Sequence, residues 1–455
     1  MKYRSTRGST LHALDEVLLR GIAADGGLYL PESLPSFSSA DFSASDTILE
    51  TARVVLTPFF AGSSLAGSLH EIIAETFHFP IPANKLDVDN DNAWMLELYH
   101  GPTAAFKDVG AGFLAACLSR LHSGGTPLTI LVATSGDTGG AVAAAFNERP
   151  NVRVVVLFPE GRVSERQQKQ LTCWGDNVLS LAVQGSFDDC QAMVKEAFAE
   201  SKLRERYRLS SANSINIGRL LPQSIYYVHS SLEHFRKTGK KPGFIIPVGN
   251  LGNSLACILA RDMGLPIGEV ILASNANRLI PDYLDGAEWL PRASIQTLAS
   301  AMDVGNPSNM ERLRHLHGDA PELVKMLSAV SVSDAEIERQ MHDDMQAFGI
   351  ATCPHTATAT HVYRDLSSAQ SKADWIIIAT AHPAKFDSIV EPLIGQAVPV
   401  PAELAAILSR PNRFQVIAAN LDALANAMDE KFQVDEGAST AINSSSGRRN
   451  GQPRG

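Results

Sequence analysis

The stretch GFIIPVGNLGNSLACILA (243–260) decides the fold. Its first six residues are a short apolar run, the pattern of a strand covered on both faces. Gly249 and Gly252 interrupt the run, and apolar residues then return at helical spacing, so 253–263 reads as a helix. A buried strand that turns through glycine into a helix is one step of a doubly wound parallel sheet.

The same step recurs along the chain. Further strands are expected at 94–99, 128–134, 152–159, 177–183, 269–274 and 374–380. Helices are expected at 109–122, 138–147, 187–203, 217–236 and 333–347. The fold class is therefore α/β, with two doubly wound, mostly parallel-sheet lobes and an N-terminal helical extension. The expected division is an N-terminal domain (1–85), one lobe (86–225), a second lobe (226–435) and a polar tail (436–455). The tail is rich in Ser, Gly and Asn, too poor in apolar side chains to offset the entropy of ordering, and reads as flexible.

Composition narrows the function. The chain has 455 residues and a formal net charge of −10, which argues against nucleic acid as a partner. No apolar run is long enough to span a bilayer, and no secretory signal is expected. The five cysteines (117, 173, 190, 257 and 353) contain no C-x-x-C pair, so neither a disulfide framework nor a metal site is expected, and a cytoplasmic location is.

In open α/β sheets, ligands bind beyond the carboxyl ends of the strands. Four strand-to-helix turns there have unusual compositions. HGPTAAFKD (100–108) places Lys107 among Ala104, Ala105 and Phe106, a setting that favours the free amine needed to condense with a carbonyl. A solvated lysine opening a helix is the competing reading. ATSGDTGG (133–140) offers Ser135, Thr138 and glycine amides at a helix start, suited to a carboxylate; an ordinary Asp cap fits equally. PVGNLGNS (247–254) lets the backbone approach a phosphate but is no Walker loop, and the phosphate would belong to a tightly held cofactor. In IIIATAHPAKF (376–386), Thr380 can bond a ring nitrogen, Lys385 can pair with an anion, and His382 reads as packed. GAGFLA (110–115) matches a dinucleotide-binding pattern, but lies inside a helix and lacks the acid expected about 20 residues on.

Taken in order, these turns resemble the longer threonine synthases. SANSINIGRLLPQ (211–223), YRSTRG (3–8), ADGGLYLPE (24–32) and AMDVGNPSNMER (301–312) read as further blocks of that family, so the resemblance runs from residue 3 to about 430. Ala301 and Met310 are small departures from it. The resemblance implies the tryptophan synthase β-like fold (fold type II) with pyridoxal 5'-phosphate as cofactor. It places the Schiff base on Lys107, beside Phe106, and the cofactor phosphate on Gly249, Asn250, Leu251, Gly252 and Asn253. Thr380 would face the pyridine nitrogen, and Ser135 and Asp137 would stand near the cofactor. The implied substrate is O-phospho-L-homoserine, held by Ser135, Thr138, Asn213, Ser214, Asn216, Arg219 and Lys385. The implied products are L-threonine and phosphate, formed by γ-elimination and β-addition of water on a monomer or homodimer. A threonine or serine dehydratase, or a β-replacement lyase of the same fold, is the alternative; the discriminating feature is the set around Arg219, which a dehydratase does not need.

Overall fold

The computed structural model describes residues 1–42, 47–86, 92–122, 125–134 and 136–432. Its strands are β1 (Tyr3–Ser5), β2 (Leu11–His12), β3 (Tyr29–Pro31), β4 (Ala83–Lys85), β5 (Ala93–Glu97), β6 (Leu128–Ala133), β7 (Val152–Pro159), β8 (Val178–Gln184), β9 (Leu209–Ser210), β10 (Gly243–Pro247), β11 (Val270–Ser274), β12 (Leu327–Ser331), β13 (Trp375–Ala379) and β14 (Gln415–Ala418). They form three sheets, ordered β2-β1-β3, β12-β11-β10-β13-β5-β4 and β14-β8-β7-β6-β9.

In the six-stranded sheet every pairing is parallel except β4 with β5. In the five-stranded sheet every pairing is parallel. Strands β6, β10, β11 and β13 are buried along their whole length, as expected for sheets covered by helices on both faces.

Two strands pair with partners far along the chain, in a sheet other than that of the strand after β5 or before β14. β5 joins β13 in the six-stranded sheet, and β14 joins β8 in the five-stranded one, so the chain crosses between lobes at both ends. The N-terminal region holds helices at Leu14–Arg20, Ile48–Phe60 and Leu69–Thr76, and also the small antiparallel sheet of β1, β2 and β3. The helix expected at 187–203 breaks at Glu200 into Phe187–Ala199 and Ser201–Tyr207. The one expected at 217–236 divides into Ile217–Leu220 and Gln223–Thr238 around Pro222, whose missing N–H cannot continue the ladder. The polar tail (436–455) lies outside the described residues. Among the described residues no helix is long and apolar enough to cross a membrane.

Candidate active site

The carboxyl ends of three neighbouring parallel strands, β10, β13 and β5, open on one cleft of about 1260 Å³. The ends of β6 and β9, from the other large sheet, form its opposite wall.

After β5 the chain reaches Lys107, the first residue of the helix Lys107–Leu121. The turn before it is pinned to β13. The Phe106 N–H donates to the Thr380 carbonyl (2.8 Å) and the His382 N–H to the Ala104 carbonyl (3.0 Å). Ala104 sits at φ 53°, a left-handed conformation that costs an alanine roughly 1 kcal/mol. Asp108 closes the turn from the helix side. Its buried carboxylate accepts from the Thr103 N–H (2.9 Å) and hydroxyl (2.5 Å). Gly101 has no alternative here, because a Cβ would lie 2.6 Å from Asp108 Oδ2. Lys107 Nζ stands 5.6 Å from the Phe106 ring centroid. Burial lowers its amine to about 8; Asp137 opposes that shift, while Lys385 and Arg219 add to it.

After β10 the loop carries Leu251 at φ 60°, and the helix Gly252–Asp262 begins immediately. Its first N–H groups have no intrahelical partner, and Gly252, Asn253 and Ser254 line the cleft, an arrangement suited to phosphate. A Cβ on Gly249 would lie 2.9 Å from the Met302 Cα, so only glycine fits between loop and cleft wall. Asn250 donates to Ser214 Oγ (2.6 Å) and accepts from the Ser308 N–H (2.5 Å). Tyr226 and Tyr227 both donate to Asn253 Oδ1. That leaves the buried Asn253 Nδ2 without a partner among the described residues. A glycine-built cradle, free helix amides, an orphaned amide donor and a desolvated amine in one cleft fit a phosphate-bearing aldehyde cofactor. Thr380 lines the cleft at the end of β13.

On the opposite wall, Gly136 holds φ 146°, and a Cβ there would meet Gln167 Nε2 at 2.6 Å. The Thr134 hydroxyl accepts from the N–H groups of Gly136 (3.0 Å) and Gly139 (2.9 Å). Thr138 lines the cleft. Ser135 lies outside the described residues.

Asn213, Ser214 and Arg219 also line the cleft. Arg219 is buried; its Nη1 donates to the Ala212 carbonyl (2.5 Å), and its Nε has no partner among the described residues. Burial lowers the guanidinium to about 10, against the opposing charge of Asp108.

Two sequence assignments need correction. Asn216 is fully buried and does not line the cleft. Its amide donates to the carbonyls of Leu18 (3.0 Å) and Ser211 (3.2 Å), and its Oδ1 caps Gly218 (2.9 Å). It shapes the loop and is closed off from the cleft. Lys385 is also fully buried and absent from the cleft wall. It pairs with Asp137 at 2.8 Å and donates to the Thr103 carbonyl at 2.7 Å. Burial alone would raise the Asp137 carboxyl, but Lys385 and Lys107 outweigh it and hold the group well below the usual range. The anion that Lys385 neutralises is thus Asp137.

The sequence reading missed His355, on the first turn of the helix Pro354–Arg364. Its Nε2 accepts from the Ala301 N–H (3.0 Å), and burial lowers the ring to about 4. The ring is therefore neutral, with its proton on Nδ1, and it lines the cleft. Nothing local in CPHTATAT (353–360) signals this, because the partner is a backbone group 54 residues away. His382 is packed as expected: its Nδ1 accepts from the Ala384 N–H (3.1 Å), and its ring meets Tyr99 edge-on.

Family models place this architecture. Residues 75–381 match a pyridoxal-phosphate dependent enzyme family, residues 2–77 the threonine synthase N terminus and residues 356–428 the threonine synthase C-terminal region. The chain is 38% identical to the threonine synthase of Serratia marcescens, covering 86% of this chain and 90% of that one. It is 36% identical to the enzyme of Escherichia coli K12, covering 91% and 95%. A solved threonine synthase from Brucella melitensis with PLP bound superposes with a TM-score of 0.86 at 34% identity, covering 95% of this chain and 99% of that one. The Lys107 turn, the 249–253 cradle and the matched family models thus agree: the chain belongs to the threonine synthases, lyases that depend on pyridoxal phosphate.

Proposed function

We propose that this cleft converts O-phospho-L-homoserine and water to L-threonine and inorganic phosphate, on a cytoplasmic monomer or homodimer. The observation that carries the reading is the meeting of Lys107, the 249–253 cradle and Thr380 at three adjacent strand ends, with Arg219 lining the same cleft.

When bound, pyridoxal phosphate supplies an electron sink for charge that develops at the substrate's carbon atoms. Lys107 Nζ would hold it, and the cradle amides with Asn253 Nδ2 would take its phosphate. Thr380 brings a neutral hydroxyl, not a carboxylate, to the end of β13, so it adds no formal charge there. Lys107 then moves protons. An amine lowered to about 8 gives up or takes a proton near neutral pH at little cost, which a solvated lysine does not. Arg219, with Asn213 and Ser214, would take the substrate phosphate. A guanidinium held on Ala212 keeps a fixed fork for that oxyanion. Thr138, at a helix start, would take the carboxylate. The buried Lys385–Asp137 pair holds the Thr103 turn against the β6 loop and so fixes Lys107 across the cleft. Free cysteines that are all buried accord with a reducing compartment.

The test is the visible spectrum of the purified holoprotein before and after O-phospho-L-homoserine, with phosphate and threonine measured in the same tube. Both products should appear in equal amounts. Ammonia released from L-threonine, with no phosphate released from O-phospho-L-homoserine, would assign a dehydratase. Lys107→Ala should lose the Schiff-base absorbance and turnover together.

A further inference from the structure

We infer that Gly110 and Gln223 are positioning residues for Arg219: they form the seat that holds its guanidinium in the cleft wall. The inference rests on the reading of Arg219 as the phosphate-binding group.

Gly110 lies in the GAGFLA segment of the helix Lys107–Leu121, one turn after Lys107. A Cβ built on it would lie 2.8 Å from the Arg219 carbonyl oxygen and 2.9 Å from Arg219 Nε. The first is backbone, so a methyl group there cannot be relieved by a side-chain rotation alone; the short helix Ile217–Leu220 would have to move. Gly110 is helical and outside the left-handed region, so its missing side chain answers to space and not to backbone conformation. Two residues on, Gly112 has nothing within 4 Å of its Cβ position. Two glycines in the middle of one helix each weaken it by about 1 kcal/mol relative to alanine, and only Gly110 has a contact that accounts for it.

Gln223 completes the seat from the other side. Its Nε2 donates to the Arg219 carbonyl at 2.5 Å and would lie 3.2 Å from a Cβ on Gly110. With Nη1 held by the Ala212 carbonyl, the guanidinium is fixed at both ends of its stem. The seat also sets the distance between Arg219 and Lys107, consistent with the Arg219 charge lowering the Lys107 amine.

The experiment compares four holoprotein variants, Gly110→Ala, Gly112→Ala, Gln223→Ala and Arg219→Ala, by inhibition with inorganic phosphate and by steady-state kinetics. Gly110→Ala and Gln223→Ala should each weaken phosphate inhibition and raise KM by roughly tenfold. Their Schiff-base absorbance should stay in place, and kcat should change less than KM. Gly112→Ala should match the parent. In the Arg219→Ala background neither seat substitution should weaken phosphate further, because its target is gone. If Arg219→Ala leaves phosphate inhibition intact, the phosphate-site reading fails and the seat with it. If Arg219→Ala weakens inhibition while Gln223→Ala and a folded Gly110→Ala do not, the seat alone is wrong. Should Gly110→Ala fail to fold, Gln223→Ala and its double variant with Arg219→Ala decide the matter.

Discussion

Lys107 shows how far one residue's chemistry depends on its surroundings. The same side chain in water would keep its proton past pH 10. Here burial lowers it to about 8, and the sign of the pH effect follows. Below that value Nζ is protonated and cannot attack an aldehyde; above it the free amine dominates. Capture of added pyridoxal phosphate by the apoprotein should therefore accelerate between about pH 7 and 9 and then level off, followed by visible absorbance. A rise that begins only near pH 10 would show a solvated lysine. Asp137 and Lys385 make a second case at this scale. Lys385→Met would leave the Asp137 carboxylate buried without its partner, and breaking such a pair costs about 3–5 kcal/mol. Thermal unfolding should show a clear loss of stability, although Lys385 itself does not line the cleft. The sequence located the Lys107 and cradle turns because both follow from local pattern, an apolar strand, a break and a helix; the role of Lys107 came from the family resemblance, since a solvated lysine fits that local pattern as well. It misplaced Asn216 and Lys385 because the direction of a polar side chain is set by packing partners far along the chain. Leu18 takes the Asn216 amide and Asp137 takes the Lys385 ammonium.

At the scale of elements, periodicity located the buried strands but not their neighbours. β5 reads as the opening strand of its lobe, yet its register runs against β13, with Trp375 opposite Ala93 and Ala379 opposite Glu97. Pairing across some 280 residues leaves no local trace. The consequence is functional, because only this crossing brings the Lys107 turn beside Thr380. The seam between β10 and β13 is equally specific. Gly243 pairs with Trp375, and a Cβ on Gly243 would lie 2.5 Å from the Trp375 ring. Trp375 is fully buried and cannot swing away. Gly243→Ala should therefore destabilise the protein by about 1–3 kcal/mol, seen as a lower denaturant midpoint with an unchanged slope.

Across the whole molecule, the proposed contacts of the cofactor and of the substrate are divided mainly between the two large sheets. The proposed cofactor contacts, Lys107, residues 249–253 and Thr380, follow β5, β10 and β13 of the six-stranded sheet; Thr138 and residues 213–219 follow β6 and β9 of the other. Within the cleft the 2.6 Å bond from Asn250 Nδ2 to Ser214 Oγ joins them, and beside the cleft Lys385 pairs with Asp137 at 2.8 Å. At the cleft mouth Arg7 pairs with Glu311 at 2.6 Å, tying the N-terminal sheet to the helix Met310–His317, but so exposed a pair contributes at most about 1 kcal/mol. Ligands, more than surface pairs, should therefore stabilise the assembled cleft. Pyridoxal phosphate at a hundred times its dissociation constant adds about 2.7 kcal/mol to a folded state that alone binds it. The melting temperature of the apoprotein should rise by a few degrees on adding the cofactor. Lys107→Ala keeps the phosphate cradle and loses the covalent link, so its rise should be smaller but measurable. A rise as large as the parent's would mean that Lys107 adds no affinity, and no rise at all would mean that the 249–253 loop does not hold the phosphate.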